Sequence, residues 1–502
     1  MKRSSGVLMH ISSLPNNQGI GSFGKEAYDF VDFLVETGQS YWQILPLTTT
    51  SYGDSPYASY SAFAGNTDFI NLKALVAEGY LKKADYEEVD FGITPEKVDF
   101  EQVQKERRPL LEKAVTKFIA KKGLEKSSYT KFVEANKDWL LPFAQFMTLK
   151  ELFNQKPWFD WPDKYRFFSS ENVNVYLESE EDRLNYHLVT QYWFSKQWTA
   201  LKKYANQKNI KIIGDIPIYI AYDSVEMWQT PEMFKVDENL VPTAVSGTPP
   251  DGFSDEGQYW GNPIYNWEQM ETNDFEWWVR RIKQNLTLYD YVRLDHFRGF
   301  EAYWEIPYGA ASAKEGKWVK GPDKKLFEVF NKELGKINLI AEDLGYITPE
   351  VEELLEFTGY PGMKILQHAF TGGEDSEHMP HHFTPNTIAY VGTHDNETGF
   401  GWYLDSSNQA QRDQLDSYLN RRPGEHIADA LNRGIAASVS DLVIYTMQDL
   451  LQLGNEARMN LPSTIGDNWD WRMDERAITI DLKEKLRGWT ETYYRKNKQN
   501  NI

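Results

Sequence analysis

The 502-residue sequence contains no cysteine, which excludes a disulfide framework, a thiolate zinc site, a cysteine-held iron–sulfur cluster and a cysteine nucleophile. It has no run of about 18 uncharged apolar residues, so no membrane span is expected. Positive charge is scarce, with 54 Lys and Arg against 74 Asp and Glu and a formal net charge of −20. Such a chain repels a phosphate backbone, and nucleic acid is excluded as its main partner. No signal peptide is read either, because the apolar run Val7-Leu8-Met9 that follows Lys2 and Arg3 is broken at once by His10. These absences describe a soluble cytoplasmic protein. What the chain has in quantity is aromatic: 17 Trp, 29 Tyr and 27 Phe. Aromatic faces pack cores, and they also stack on sugar rings.

At this length the chain exceeds the roughly 250 to 300 residues at which a single core stops growing, so a large decorated domain is expected. Short apolar runs ending in polar residues occur at 7–13, 41–47, 210–218, 289–297, 339–344, 363–370, 387–395 and 443–450. Most are flanked by stretches with apolar residues at i, i+3 and i+4. Eight strands, each nearly continuously apolar and separated by helices, predict an α/β fold of the (β/α)₈ barrel class; an open doubly wound sheet is the competing arrangement. One catalytic barrel is expected to span 1–502. The interval from about 51 to 207 is too long for one crossover. Its 3.6-residue periods, Leu110, Leu111, Ala114, Val115, Phe118 and Ile119, then Leu140, Phe143, Phe146, Met147 and Phe153, predict a helical subdomain inserted after the second strand. A covering loop at about 230–265 and a smaller insertion at about 302–323 would lie at the C-terminal face, where barrel enzymes build their sites. Pro349, with Glu350, Glu352 and Glu353 behind it, reads as the first turn of a helix.

Gly19-Ile20-Gly21-Ser22-Phe23-Gly24 matches a dinucleotide-binding pattern. Five residues separate it from the preceding strand, however, and no acidic residue ends the second strand at Pro46-Leu47, so a loop closing over the barrel rim is preferred. Acidic residues at the ends of four predicted strands carry more weight: Asp215, Asp295, Glu342 and Asp395. In a closed barrel these ends converge and crowd the carboxylates into one pocket. Arg293 and Asp295 are two apart on a strand and share a face, so the guanidinium is expected to hold Asp295 ionised and oriented. An ionised, positioned carboxylate can attack an anomeric carbon. Glycosidic chemistry then needs a second carboxyl group that starts protonated. Glu342, between apolar Ile340 and Leu344, suits that role, and Asp395 remains to bind hydroxyls and stabilise positive charge on the ring.

The sequence closely resembles the 4-α-glucanotransferases of glycoside hydrolase family 77, the amylomaltases or disproportionating enzymes. The resemblance runs from Gly6-Val7-Leu8 to Trp469-Asp470-Trp471-Arg472. Its most specific pieces are 55–66, Gly214-Asp215-Ile216-Pro217-Ile218-Tyr219, Pro249-Pro250-Asp251, Gln258-Tyr259-Trp260-Gly261-Asn262-Pro263, Arg293-Leu294-Asp295-His296-Phe297-Arg298-Gly299, Ala341-Glu342-Asp343-Leu344-Gly345 and Thr393-His394-Asp395-Asn396. It implies a retaining transferase acting on maltooligosaccharides and other α-1,4-glucans, with Asp295 as nucleophile, Glu342 as acid/base and Asp395 as transition-state stabiliser. It also implies that Arg293, His394 and Asp215 belong to the sugar-binding shell, that Asp251 and Trp260 belong to the loop covering the glucan, and that Tyr57 is an aromatic contact for the chain. Thr67, Glu397, Ser463 and His368 depart from the family pattern; none is one of the three catalytic carboxylates.

No cofactor and no metal are called for. His378, His381 and His382 cluster in sequence without a fourth ligand, and 251–257 lacks the oxygen-ligand spacing of a calcium loop. Two other functions use the same features: a plain α-glucan hydrolase with the same carboxylates, and a non-catalytic glucan-binding barrel. Long covering inserts favour transfer over hydrolysis, and the placement of Arg293 among the carboxylates exceeds what binding alone needs.

Overall fold

The computed structural model describes residues 1–51, 53–92, 94, 96–250 and 256–497. Each of the eight apolar runs contributes to one parallel sheet, as β1 (Ser4–Leu8), β2 (Tyr41–Gln43), β3 (Lys211–Ile216), β4 (Tyr291–Leu294), β5 (Leu339–Ala341), β6 (Gly362–Ile365), β7 (Thr387–Tyr390) and β8 (Leu442–Thr446). The order is β6-β7-β8-β1-β2-β3-β4-β5, so chain neighbours are sheet neighbours throughout. Its two end strands meet: Ala341 donates its N–H to the Pro361 carbonyl at 3.0 Å, and the Asp343 carboxylate accepts the Met363 N–H at 2.6 Å. An open doubly wound sheet would leave those two strands as opposite edges; here they close a nearly complete (β/α)₈ barrel. Val7, Ile212, Ile213, Val292, Ile340, Ile388 and Val443 are fully buried, as continuously apolar strands between a packed interior and a helix layer must be.

The hydrogen-bonded strands are shorter than the apolar runs. The run 363–370 passes from β6 directly into the helix Leu366–Ala369, and 443–450 from β8 into the helix Met447–Leu450. At β8 the switch has a local cause, because the Thr446 hydroxyl accepts the Asp449 N–H and caps the new helix.

Between β2 and β3 the chain forms the long helices Phe100–Ala120, Ser127–Leu152 and Glu181–Gln207. The predicted periods are their buried faces, including Leu111, Ala114, Phe118, Leu140, Phe143 and Phe146. The helix Pro349–Thr358 begins with proline and carries Glu350 and Glu352 in its first turn. The segments after β3 and β4, read separately in the sequence, join in one four-stranded antiparallel sheet of Ala244–Thr248, Gln258–Pro263, Ala302–Pro307 and Lys317–Lys320. A small apolar cluster of Val245, Ile306 and Ala313 sits on it.

The glycine-rich segment 19–24 precedes the helix Lys25–Glu36 as a packed loop. A Cβ on Gly21 would lie 1.8 Å from the Ile11 carbonyl oxygen, and the Glu26 carboxylate accepts both the N–H and the hydroxyl of Ser22. Close backbone approach explains the glycine, and an acidic side chain occupies the turn where a phosphate cradle would need open amides.

Candidate active site

Arg293 on β4 organises one side of the barrel mouth. Its Nη1 lies 2.9 and 2.7 Å from the two carboxylate oxygens of Asp215 on β3, and 3.0 Å from Oδ1 of Asp295 just past β4. The shared face of Arg293 and Asp295 follows the period of two expected of a strand. Asp215 is further held by the Tyr57 hydroxyl, which donates to Oδ2 at 2.8 Å. The Tyr57 ring stacks on His394, with centroids 5.1 Å apart and planes 12° from parallel, and leans on Trp469 at 5.6 Å. His394 Nε2 is 3.2 Å from Oδ2 of Asp395, and Asn460 donates to the other oxygen of Asp395 at 2.6 Å. Arg458 donates to the Asp395 carbonyl at 2.7 Å. Thus Tyr57, Asp215, Arg293, Asp295, His394 and Asp395 form one chain of direct contacts across the barrel mouth.

Glu342 follows β5 directly. His296, next to Asp295, adopts a left-handed backbone with φ 52° and donates its N–H to Glu342 Oε2 at 2.6 Å, while Leu344 donates to Oε1 at 3.0 Å. A side-chain-bearing residue in that region is uncommon. Here the turn aims an amide from the β4 loop at the carboxyl of the β5 loop. The side chains of Asp295 and Asp395 keep 26 and 39 % of their exposure, so both carboxylates face the open mouth, whereas Glu342 is buried.

The electrostatics separate the three acids. Burial pushes Glu342 up to about 8; Arg293 and the two amides oppose this, and the neighbouring Asp295 charge adds to it. Burial also raises Asp295, to about 6, against the pull of Arg293. Arg293 pulls toward the ionised form, as its place on the strand predicts, but it is not the largest influence on Asp295. The guanidinium is shared with Asp215, and desolvation outweighs what remains of its effect. Desolvation opposes the charge on Asp395 as well, but the adjacent His394 and the Asn460 hydrogen bond hold it well below the usual carboxylate range. The site thus favours the protonated form of Glu342 and the ionised form of Asp395, with Asp295 between them.

Trp260 stands at the rim on the antiparallel sheet, its ring edge-on to His296 with centroids 4.8 Å apart. Asp251 lies outside the described residues. The three histidines read as a sequence cluster have separate partners: His378 accepts the Ile365 N–H, His381 meets the Tyr418 hydroxyl and His382 the Ser376 carbonyl. Sequence reasoning passed over Asn460, Arg458 and the amides of His296 and Leu344. Asn460 lies 65 residues beyond Asp395 in an irregular loop, and backbone donors leave no side-chain signature.

A parallel barrel whose C-terminal mouth gathers carboxyl groups in unlike electrostatic environments around one arginine carries the groups that acid, base and nucleophile chemistry requires. A family model described as 4-alpha-glucanotransferase matches residues 9–479, and the chain belongs to that family. It is 52 % identical over 497 residues to a 4-alpha-glucanotransferase of Streptococcus pneumoniae serotype 4, covering 99 % of this chain and 98 % of that one. With the 4-alpha-glucanotransferase of Clostridium butyricum it shares 48 % identity over 488 residues, 97 % of this chain and all of the other. The solved amylomaltase of Streptococcus agalactiae in complex with acarbose superposes with a TM-score of 0.95 at 47 % identity, covering 99 % of this chain and 100 % of that one. The activity is 4-alpha-glucanotransferase.

Proposed function

We propose that the chain transfers segments of α-1,4-glucans by a retaining double displacement on Asp295, Glu342 and Asp395. An oxygen of Asp295 attacks the anomeric carbon as the glycosidic C–O bond breaks, and the departing oxygen takes the proton held by Glu342. The first product leaves and a glycosyl ester remains on Asp295. The 4-hydroxyl of an acceptor glucan or glucose then gives its proton to Glu342 and attacks the same carbon, and Asp295 is released as carboxylate. Asp395, ionised throughout, stabilises the positive charge on the ring in both transition states. Arg293, His394 and Asp215 bind the sugar at the cleavage point, Tyr57 fixes Asp215, and Trp260 belongs to the loop that covers the glucan.

One observation carries this reading: Asp295, held by Arg293 at 3.0 Å and open to the mouth, stands beside the buried Glu342, whose carboxyl accepts the His296 and Leu344 N–H groups, and burial raises Glu342 further than Asp295, the division of labour that a retaining mechanism requires. The Streptococcus agalactiae amylomaltase was solved with acarbose, and we place the glucan of this chain at the mouth that carries these side chains. The helical region 51–207 and the segments 230–265 and 302–323 are read as insertions on a single barrel, walls that keep an acceptor in place of water. A cytoplasmic setting is part of the proposal and rests on the cysteine-free composition.

Incubation with maltotriose tests the fate of the intermediate. Transfer yields glucose and a ladder of longer maltooligosaccharides while the total of reducing ends stays nearly constant. Reducing ends that rise with each cleavage, with no chain longer than the substrate, would make hydrolysis the main reaction.

A further inference from the structure

Outside the catalytic contacts, the loops after β4 and β5 build a second aromatic feature. Trp318, on the strand Lys317–Lys320, and Tyr346, four residues beyond Glu342, lie nearly parallel with planes 21° apart and centroids 6.3 Å apart. Both are exposed, Tyr346 by 64 % and Trp318 by 36 %. The side chain beneath them is not. Arg298, three residues beyond Asp295, is 4 % exposed and sets its guanidinium 3.8 Å from the Trp318 ring centroid and 5.7 Å from that of Tyr346. Its Nη1 donates to the Tyr346 carbonyl, its Nη2 lies 3.7 Å from Glu301, and its Nε has no hydrogen-bond partner among the described residues. From the other side Trp304 meets Trp318 edge-on at 5.2 Å, the two being opposite one another across neighbouring strands.

Burying a guanidinium is costly unless it is well paired. Here the compensation comes from the Trp318 face, the Tyr346 carbonyl and Glu301, so the arginine holds two solvent-facing rings in a fixed relation. A rigid, amphipathic ring on a surface offers a contact area that loses little entropy on binding. The feature is also continuous with the reaction site: the Phe297 N–H donates to the Glu342 carbonyl at 3.0 Å, which ties the segment carrying Arg298 to the one carrying Tyr346. Because the activity acts on a polymer, a chain leaving the mouth along these two loops would pass over the rings. Sugar rings present apolar C–H faces to aromatic faces and gain by burying them.

We propose that Trp318 and Tyr346, braced by Arg298, form an auxiliary glucan-binding surface that engages α-1,4-glucans long enough to extend beyond the cleavage point. This rests on the placement of the glucan at the barrel mouth. Tyr346 takes no part in the catalytic contacts and serves only long chains.

The test measures equilibrium binding in an Asp295→Asn background, which removes turnover, with maltotriose and a long linear maltooligosaccharide as probes. Adding Tyr346→Ala weakens the long chain by about fivefold, the scale of one lost aromatic contact, and changes maltotriose by less than about twofold. Tyr346→Phe, which keeps the ring, restores long-chain affinity, a rescue that mere loss of a polar group would not give. Trp318→Ala repeats the length-dependent loss, with circular dichroism and thermal unfolding reporting whether the strand still folds. Equal weakening of both probes, or no weakening of either, would overturn the proposal. If Asp295→Asn still turns over substrate, the catalytic assignment fails instead, and kcat/KM of Tyr346→Ala on the two chain lengths in the otherwise unaltered enzyme then decides. A loss confined to the long chain supports the surface, and an equal loss on both, or none, refutes it.

Discussion

The backbone N–H of His296 points at the carboxyl of Glu342 across 2.6 Å, and through this contact the loop that carries Asp295 also positions the proposed acid. Two carboxyls on neighbouring strands are thereby held in one frame. Their different proton affinities follow from that frame, set by burial, by Arg293 and by each other.

Activity is therefore expected to follow a bell-shaped pH profile. Asp295 must be ionised, so kcat/KM on maltotriose rises as pH passes upward through about 6. Glu342 must be protonated, so it falls again above about 8. The optimum lies between these limbs. Full activity retained down to about pH 4, near the ordinary carboxylate range, would contradict the burial argument for Asp295. A profile that stays flat well above the Glu342 value would contradict the argument for Glu342.

Asn460 is expected to act through Asp395. Its amide donates to Oδ1 at 2.6 Å and, with His394, keeps the carboxylate ionised and aimed. Asn460→Ala should lower kcat by about 10- to 100-fold, as loss of an orienting partner typically does, with KM changing much less. Asn460→Asp, which sets a second carboxylate against Asp395, should be worse than alanine. An alanine variant as active as the parent would remove Asn460 from the site.

Gly362 opens β6 at the seam where the barrel closes. A Cβ there would lie 2.3 Å from the Asp343 carboxylate, which itself accepts the Met363 N–H. Gly362→Ala should force the seam apart and cost about 1–3 kcal/mol of stability, read as a lowered Tm. Asp343→Asn in the same background relieves the charge but not the clash, so the loss should persist.

Much of this architecture is legible in the residues. Continuous apolar runs locate all eight barrel strands, and the polar residue ending each run marks the mouth where Asp215, Asp295, Glu342 and Asp395 stand. Strand ends are less legible, because an apolar run does not tell a buried strand from the helical turn after it; 363–370 and 443–450 contain both. The antiparallel sheet at the rim is hidden for another reason. Its halves are separated by β4, and strand pairing between distant segments follows from how the barrel folds them together. Within the site, side chains at strand ends can be read, whereas the His296 and Leu344 amides, and an asparagine in the loop after β8, depend on backbone geometry that composition and period do not encode.

The central claim is a covalent glycosyl ester on Asp295, formed with Glu342 as acid. It is tested most directly by mass spectrometry of Glu342→Gln incubated with α-glucosyl fluoride, a donor whose leaving group needs no proton. With the acid/base absent, the ester forms but is not passed on to an acceptor, so the protein should gain the mass of one glucosyl residue, and proteolytic mapping should place it on the peptide containing Asp295. An adduct on Asp215 or Asp395, or fluoride release with no adduct at all, would contradict the account.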